Sequence, residues 1–263
     1  MMNYKINARH LILDLLYASH DATASIKRIL YAAHLLGISD NSVRVAVSRL
    51  NQENMIQTCE RGIYQLVEKK FDTSVIRLIK SPKMQLMEQW DGIYHVIYTA
   101  HLGRVDRTAL SKREKTLHYY GFKPLEQHLY LRPANLGLPQ ELLKEQMIQF
   151  GCEPEIRMFQ ATQFQSEAEI MRLWDIEALN MGYQQVIETV QAWFEAYPNL
   201  ALEQAAISAF YMAKKAIFNL RADPLLPNHW VNAEQRMQCE YATQQIERKG
   251  QQLWQEVFAR QQL

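Results

Sequence analysis

Residues 39–56 read SDNSVRVAVSRLNQENMI. Val43, Ala46, Val47 and Leu50 recur at helical spacing, so they predict one buried face. Asn41, Ser42, Arg44, Val45, Ser48, Arg49 and Gln52 fall off that face. Ser39 to Ser42 supply N-terminal caps, and Gly37 just before them ends a preceding helix. That preceding stretch, SIKRILYAAHLL (25–36), repeats the pattern with Ile26, Ile29, Leu30, Ala33 and Leu36. ARHLILDLLYAS (8–19) does the same with Leu11, Ile12, Leu15 and Leu16. Downstream, MIQTCERGIYQLV (55–67) holds two short β-prone runs around Glu60-Arg61-Gly62, a hairpin signal. The order is therefore helix, helix, tight turn, helix, hairpin.

That order predicts a winged helix-turn-helix over residues 1–68, with the third helix in the major groove of double-stranded DNA and the hairpin along the backbone. The side chains suit the task. Arg44 and Arg49 can bind guanine or phosphate, Asn41 and Gln52 can read adenine, and Ser42 and Ser48 reach either base or phosphate. Val45 shares their face, and Arg61 stands at the hairpin tip. The same face also reads as ordinary solvated surface, and winged helices serve as protein-binding modules too.

Composition sets the frame. The 263 residues are 48% hydrophobic and 22% charged, a globular profile long enough for two or three domains. The net charge of +1 hides an asymmetry. Residues 1–70 carry nine Lys/Arg against six Asp/Glu, whereas residues 164–263 carry eight against twelve. A basic end and an acidic end suit different tasks. Cys59, Cys152 and Cys239 are odd in number and far apart, which argues for reduced thiols in a cytoplasm rather than disulfides or a metal site. Lys5, Arg9 and Asp14 interrupt any signal-like apolar stretch, and Lys214-Lys215 break the longest apolar helix, so no membrane partner is expected.

Beyond a charged linker helix at 69–90, residues 91–163 predict strand, helix, two strands, helix and strand. The strands are IYHVIYTA (93–100), a short run at 122–125, HLYLR (128–132) and EIRMFQAT (155–162). The helices are 105–121, capped by Asp106 and stopped by Gly121, and 138–151, with Pro139 near its start and Gly151 at its end. This βαββαβ order is ferredoxin-like. Residues 164–263 read as an all-helical domain whose Trp174, Tyr183, Trp193, Phe194, Phe210, Tyr211 and Phe218 form packing faces. The fold class expected is thus α+β and multidomain.

The chain resembles the PaaX-like repressors, regulators of phenylacetic acid degradation. The likeness rests on ARHLILDLL, on LLGISDNSVRVAVSRLNQENMI with Val43-Arg44, Ala46 and Arg49-Leu50 in the family's VR-x-A-x-x-RL places, and on WDGIYHVIY (90–98), YYGFKPL (119–125) and DPLLPNHW (223–230) in the same order. It departs from the family in the short HDATA link (20–24) and in Asn228-His229 before Trp230. The resemblance implies a homodimeric repressor joined through the central domain and released from its operator by phenylacetyl-CoA or a related acyl-CoA. Under that implication Arg104, Arg107, Lys112 and Arg113 would hold coenzyme phosphates, with Trp230 beside the acyl group; the same residues also read as a solvated helix face and as a tryptophan that anchors the last helix. The family's central domain is akin to small CRISPR-associated nucleases, which place a metal-binding Asp at the end of the first strand. Here that strand ends Tyr98-Thr99-Ala100-His101, without a carboxylate. Catalytic residues, metal and cofactor are therefore not expected. A winged-helix protein-interaction module, or a nucleic-acid-processing enzyme with a degenerate nuclease domain, stands as the alternative.

Overall fold

The structure, a computed structural model, describes residues 6–19, 21–67, 86–87, 89–162 and 166–263. The linker helix expected at 69–90 lies almost wholly outside the described residues. Of its last few, Leu86 is extended and bridges Leu136, and the Met87 amide donates to the Asn135 carbonyl at 2.8 Å.

The chain forms helices and two antiparallel sheets, an α+β architecture. It packs as two compact units. The first holds the described residues through Val67 together with Ala192–Lys214 and Gln244–Leu263; the second holds those from Leu86 through Gln191 together with Lys215–Thr243. The segment 164–263, read from sequence as one helical domain, thus contributes to both.

In the first unit α1 spans Ala8–Ala18, α2 Ile26–Leu35 and α3 Asp40–Gln52. Each begins on a polar cap: the side chains of Asn7, Ser25 and Ser39 accept from the amides of His10, Arg28 and Ser42. Gly37, at φ +72°, makes the turn between α2 and α3. The inward stripes Leu11, Ile12 and Leu16, then Ile29, Ala32 and Ala33, then Val43, Val47 and Leu50 are buried. Full burial of one such Leu or Ile is worth about 1.5–3 kcal/mol, so these stripes hold the three helices together.

The hairpin is present as β2 (Ile56–Glu60) and β3 (Ile63–Leu66). A third strand, β1 (Thr23–Ser25), was not expected from the sequence; it pairs antiparallel with β3, giving the order β1-β3-β2. Its Ala24 is opposite Tyr64.

The C-terminal helices are α6 (Glu167–Met171), α7 (Ile176–Ala196), α8 (Leu202–Ala222) and α9 (Ala233–Arg260). In the first unit Trp193 stacks on Tyr197 at 4.7 Å and donates to the Ser208 hydroxyl at 2.9 Å, while the Lys249 ammonium sits 4.9 Å over the Tyr197 ring. Lys214 pairs with Asp14 on α1. Arg28 on α2 donates to the Leu263 backbone oxygen at 2.9 Å and lies over Phe258. Two of the aromatics expected in the core are not there: Tyr211 is 41% and Phe218 56% exposed. Both fall outside the stripe that buries Ala205, Ala206, Ala209 and Ala216 on α8.

In the second unit β4 (Tyr94–Tyr98), α4 (Arg107–Tyr119), β5 (Lys123–Glu126), β6 (Leu129–Pro133), α5 (Gln140–Phe150) and β7 (Arg157–Ala161) follow in order. The sheet runs β5-β6-β4-β7, every pair antiparallel. Ile97 lies opposite Tyr130 and Met158, and this face packs with Leu117, Leu143 and Met147 of the two helices. Asp106 caps α4, accepting from the amides of Thr108 and Ala109, and Gly151 closes α5 in the left-handed region.

His95 shares that covered face, two residues before Ile97 and opposite Arg132. Burial, then the Arg132 cation, push its pKa from 6.5 down to about 4, against the opposing pull of Gln140 and Glu141. The folded chain therefore resists protonating it more than the unfolded chain does. Its share of stability is complete above about pH 6.5 and is lost as pH falls toward 4. We expect about 2 kcal/mol of destabilisation at pH 5 relative to pH 7 from this group. In urea titrations at both pH values, His95→Gln should show a smaller acid loss than the wild type. Equal losses would show that His95 is not the titrating group.

Candidate nucleic-acid interface

All seven positions predicted on the outer face of α3, namely Asn41, Ser42, Arg44, Val45, Ser48, Arg49 and Gln52, are solvent-exposed. Arg61 is exposed in the β2–β3 turn. The reason is local. Val43, Val47 and Leu50 fix the rotation of α3 by sinking to 0–6% exposure, so every residue about half a turn away must face out. Ala46, expected with the buried set, is only half-buried.

Within this face the chemistry is largely uncommitted. The Ser42 hydroxyl is shared with Ser39 at 2.9 Å. Neither Arg44 nor Arg49 forms an ion pair with a described residue. By contrast Arg9, on α1, is held by Glu53 at 2.6 Å. Two such exposed guanidinium groups on one helix, flanked by carboxamides, form a cationic surface with hydrogen-bond donors directed outward. Such a surface can accept phosphate and base edges.

The residues assigned by resemblance to an acyl-CoA effector do not form one site. Arg104, Arg107 and Lys112 are exposed. Arg107 and Lys112 are five residues apart on α4, hence about 140° apart around the helix. Arg113 leaves the set: its side chain is only 4% exposed and donates to Glu153 at 2.9 Å and to the Gly103 carbonyl at 3.2 Å. It points to the α5 side of α4 because Arg113 shares the inward stripe with Thr116 and Leu117. Trp230 leaves it too. It is 3% exposed, donates through Nε1 to Glu167, and is enclosed by Trp90 at 5.4 Å and Trp174 at 5.7 Å. Its ring is an anchor rather than an open stacking face. Glu167 also receives His229 at 2.7 Å; burial raises the Glu167 pKa, but the hydrogen bonds from Trp230 and His229 prevail and hold it below the usual carboxylate value.

The polar centre that the sequence did not reveal lies around the loop 223–227. Arg132 is fully buried, with Nε on the Pro133 carbonyl at 3.0 Å and its two other nitrogens on the carbonyl of Tyr120 and on Asn135 Oδ1 and the Leu225 carbonyl. Asn135 also donates to the Leu225 carbonyl at 2.9 Å. Arg236 donates to the Leu226 carbonyl at 2.8 Å and to Asn228. Asp223 accepts from the Tyr183 hydroxyl and from the Leu225 amide, both at 2.8 Å; burial pushes its carboxyl pKa up. Two buried arginines thus hold the backbone of the loop. A lone Arg at the end of the apolar run HLYLR was the available sequence signal.

Among the described residues no group of three His, Cys, Asp or Glu side chains is placed to hold a metal ion, and no helix is long and apolar enough to cross a membrane.

No family model matches this sequence, and no curated protein does. Among solved structures the chain is similar to the uncharacterized protein Rv0674 from Mycobacterium tuberculosis, with 20% identity and a TM-score of 0.62, over 95% of this chain and 100% of that one. At that identity the likeness is one of fold alone. It supports an α+β architecture along almost the whole chain and brings no activity with it.

Proposed function

We propose that this chain is a DNA-binding transcriptional regulator, acting as a repressor, in which α3 reads the major groove of an operator. The observation that carries the reading is the outer face of α3. It presents two arginines that form no ion pair with a described residue, together with Asn41, Ser42, Ser48 and Gln52, directly after a glycine turn and directly before a hairpin whose tip bears Arg61. Three helices with a three-stranded sheet ordered β1-β3-β2 is the arrangement of a winged helix, in which the second helix of the motif is the reader. The second unit supports a ferredoxin-like reading through its sheet order β5-β6-β4-β7 over α4 and α5. A two-fold dimer through that domain, implied by the resemblance to PaaX-like repressors, makes the operator an inverted repeat. The acyl-CoA effector is likewise an implication of the resemblance. Arg113 and Trp230, held by Glu153 and Glu167, are not available to it, and the exposed Arg104, Arg107 and Lys112 would have to act singly rather than as one phosphate site.

The test is selection of bound sequences from a pool of randomised duplexes by the full chain, followed by titration of the selected duplex with Arg44→Ala and Arg49→Ala. Both side chains are exposed, so both variants should fold. Each should bind about 5- to 150-fold more weakly, the worth of one base or phosphate contact. A phosphate contact lowers the salt slope by about one unit, and a base contact relaxes one position of the consensus. Selection of no duplex at all overturns the reading.

A further inference from the structure

Val45 is out of place on the outer face of α3. At 43% exposure it is the one large apolar side chain between Ile6 and Val67 that is exposed, among the described residues. Neither core packing nor helix propensity accounts for it. It reaches no core, and a β-branched side chain is a poor choice for an open helix position.

Its position around the helix is informative. At about 100° per residue, Asn41, Val45, Ser48 and Gln52 fall within about 60° of arc. Arg44 and Arg49 stand about 70° to either side of the middle of that arc. A helix lying in the major groove turns the middle of its outer face to the base edges and its flanks to the two phosphate walls. The arginines therefore face the walls, and the four central residues face bases. Asn and Gln carboxamides match the donor and acceptor of adenine N6 and N7. An isopropyl group between them has no hydrogen bond to offer. The one apolar feature that base edges present in the major groove is the thymine C5-methyl.

We propose that Val45 is a specificity-determining residue that reads a thymine C5-methyl group at the centre of each operator half-site, beside A·T pairs read by Asn41 and Gln52. This rests on the reading of α3 as the DNA-contacting helix. The experiment uses the full chain and the duplex selected from the randomised pool. Each thymine is replaced singly by deoxyuridine, which removes only the methyl. Wild type should bind about four-fold more weakly when one particular thymine per half-site is replaced, the worth of one buried methyl group. Val45→Ala should bind the unmodified duplex more weakly by a similar factor and should be indifferent to that same replacement. A flat deoxyuridine scan for wild type, a half-site without thymine at its centre, or equal sensitivity in wild type and Val45→Ala overturns the proposal while leaving DNA binding intact. Failure to select any duplex overturns the reading of α3 as a DNA helix, and this assignment with it.

Discussion

Arg132→Met should cost about 3–5 kcal/mol of stability, the usual penalty for removing one partner from a buried charged network. Arg132 is 1% exposed, and burial pushes its pKa down to about 9 even with Asp223 nearby to hold the proton on. Methionine fills a similar length of space but donates nothing. The carbonyls of Tyr120, Pro133 and Leu225 would each lose the donor that Arg132 supplies, and the Leu225 oxygen would keep the one from Asn135. Asp223 would lose a neighbouring cation. Urea titration followed by tryptophan fluorescence measures this, because Trp174 lies in the same unit. A loss below about 1 kcal/mol would mean that the loop 223–227 holds its shape without Arg132.

Gly121→Ala should be nearly as damaging, at about 2–5 kcal/mol, from left-handed backbone strain plus overpacking. Gly121 sits at φ +75°, and a Cβ there would stand 2.7 Å from the Pro224 carbonyl oxygen and 2.9 Å from Pro224 Cβ. Neither side can retreat easily. The Gly121 carbonyl takes the Trp174 indole at 3.2 Å, and the residues around Pro224 are fixed by Asp223 and by Arg132 on Leu225. Gly37→Ala is the matched control. It has a similar φ of +72° but nothing within 4 Å of the new Cβ, so it should cost only about 1 kcal/mol. Thermal unfolding of the two variants side by side separates strain from collision; equal shifts would show that the approach to Pro224 is not what excludes a side chain at Gly121.

The same residues show what a single sequence can and cannot reveal. Local signals are legible: Ser39 and Asp106 cap the helices they were expected to cap, Gly37, Gly121 and Gly151 end helices, and Glu60-Arg61-Gly62 turns a hairpin. Such features depend on a few neighbouring residues. The outer face of α3 is legible for the same reason, since three buried residues at helical spacing fix the rotation of all the rest. What depends on distant partners is not. The strand Thr23–Ser25 exists only because β3 offers it an edge 40 residues away. Arg113 reads as one more cation in a basic stretch until Glu153 is brought beside it. Trp230 reads as a stacking ring or as an anchor with nothing local to choose between them, until Trp90, Trp174 and Glu167 enclose it. Tyr211 and Phe218 have the right composition for a core, yet the alanines of α8 took the buried stripe.

If the outer face of α3 binds DNA, the salt dependence of binding to the selected duplex must differ between wild type and the double variant Arg44→Ala/Arg49→Ala. Both guanidinium groups should lie at the phosphate walls, each displacing about one condensed counterion. The slope of log K against log salt should therefore fall by about two units in the double variant, with a large loss of affinity at low salt. An unchanged slope and affinity, in a variant that unfolds at the wild-type temperature, would contradict the assignment of α3 as the DNA-contacting helix.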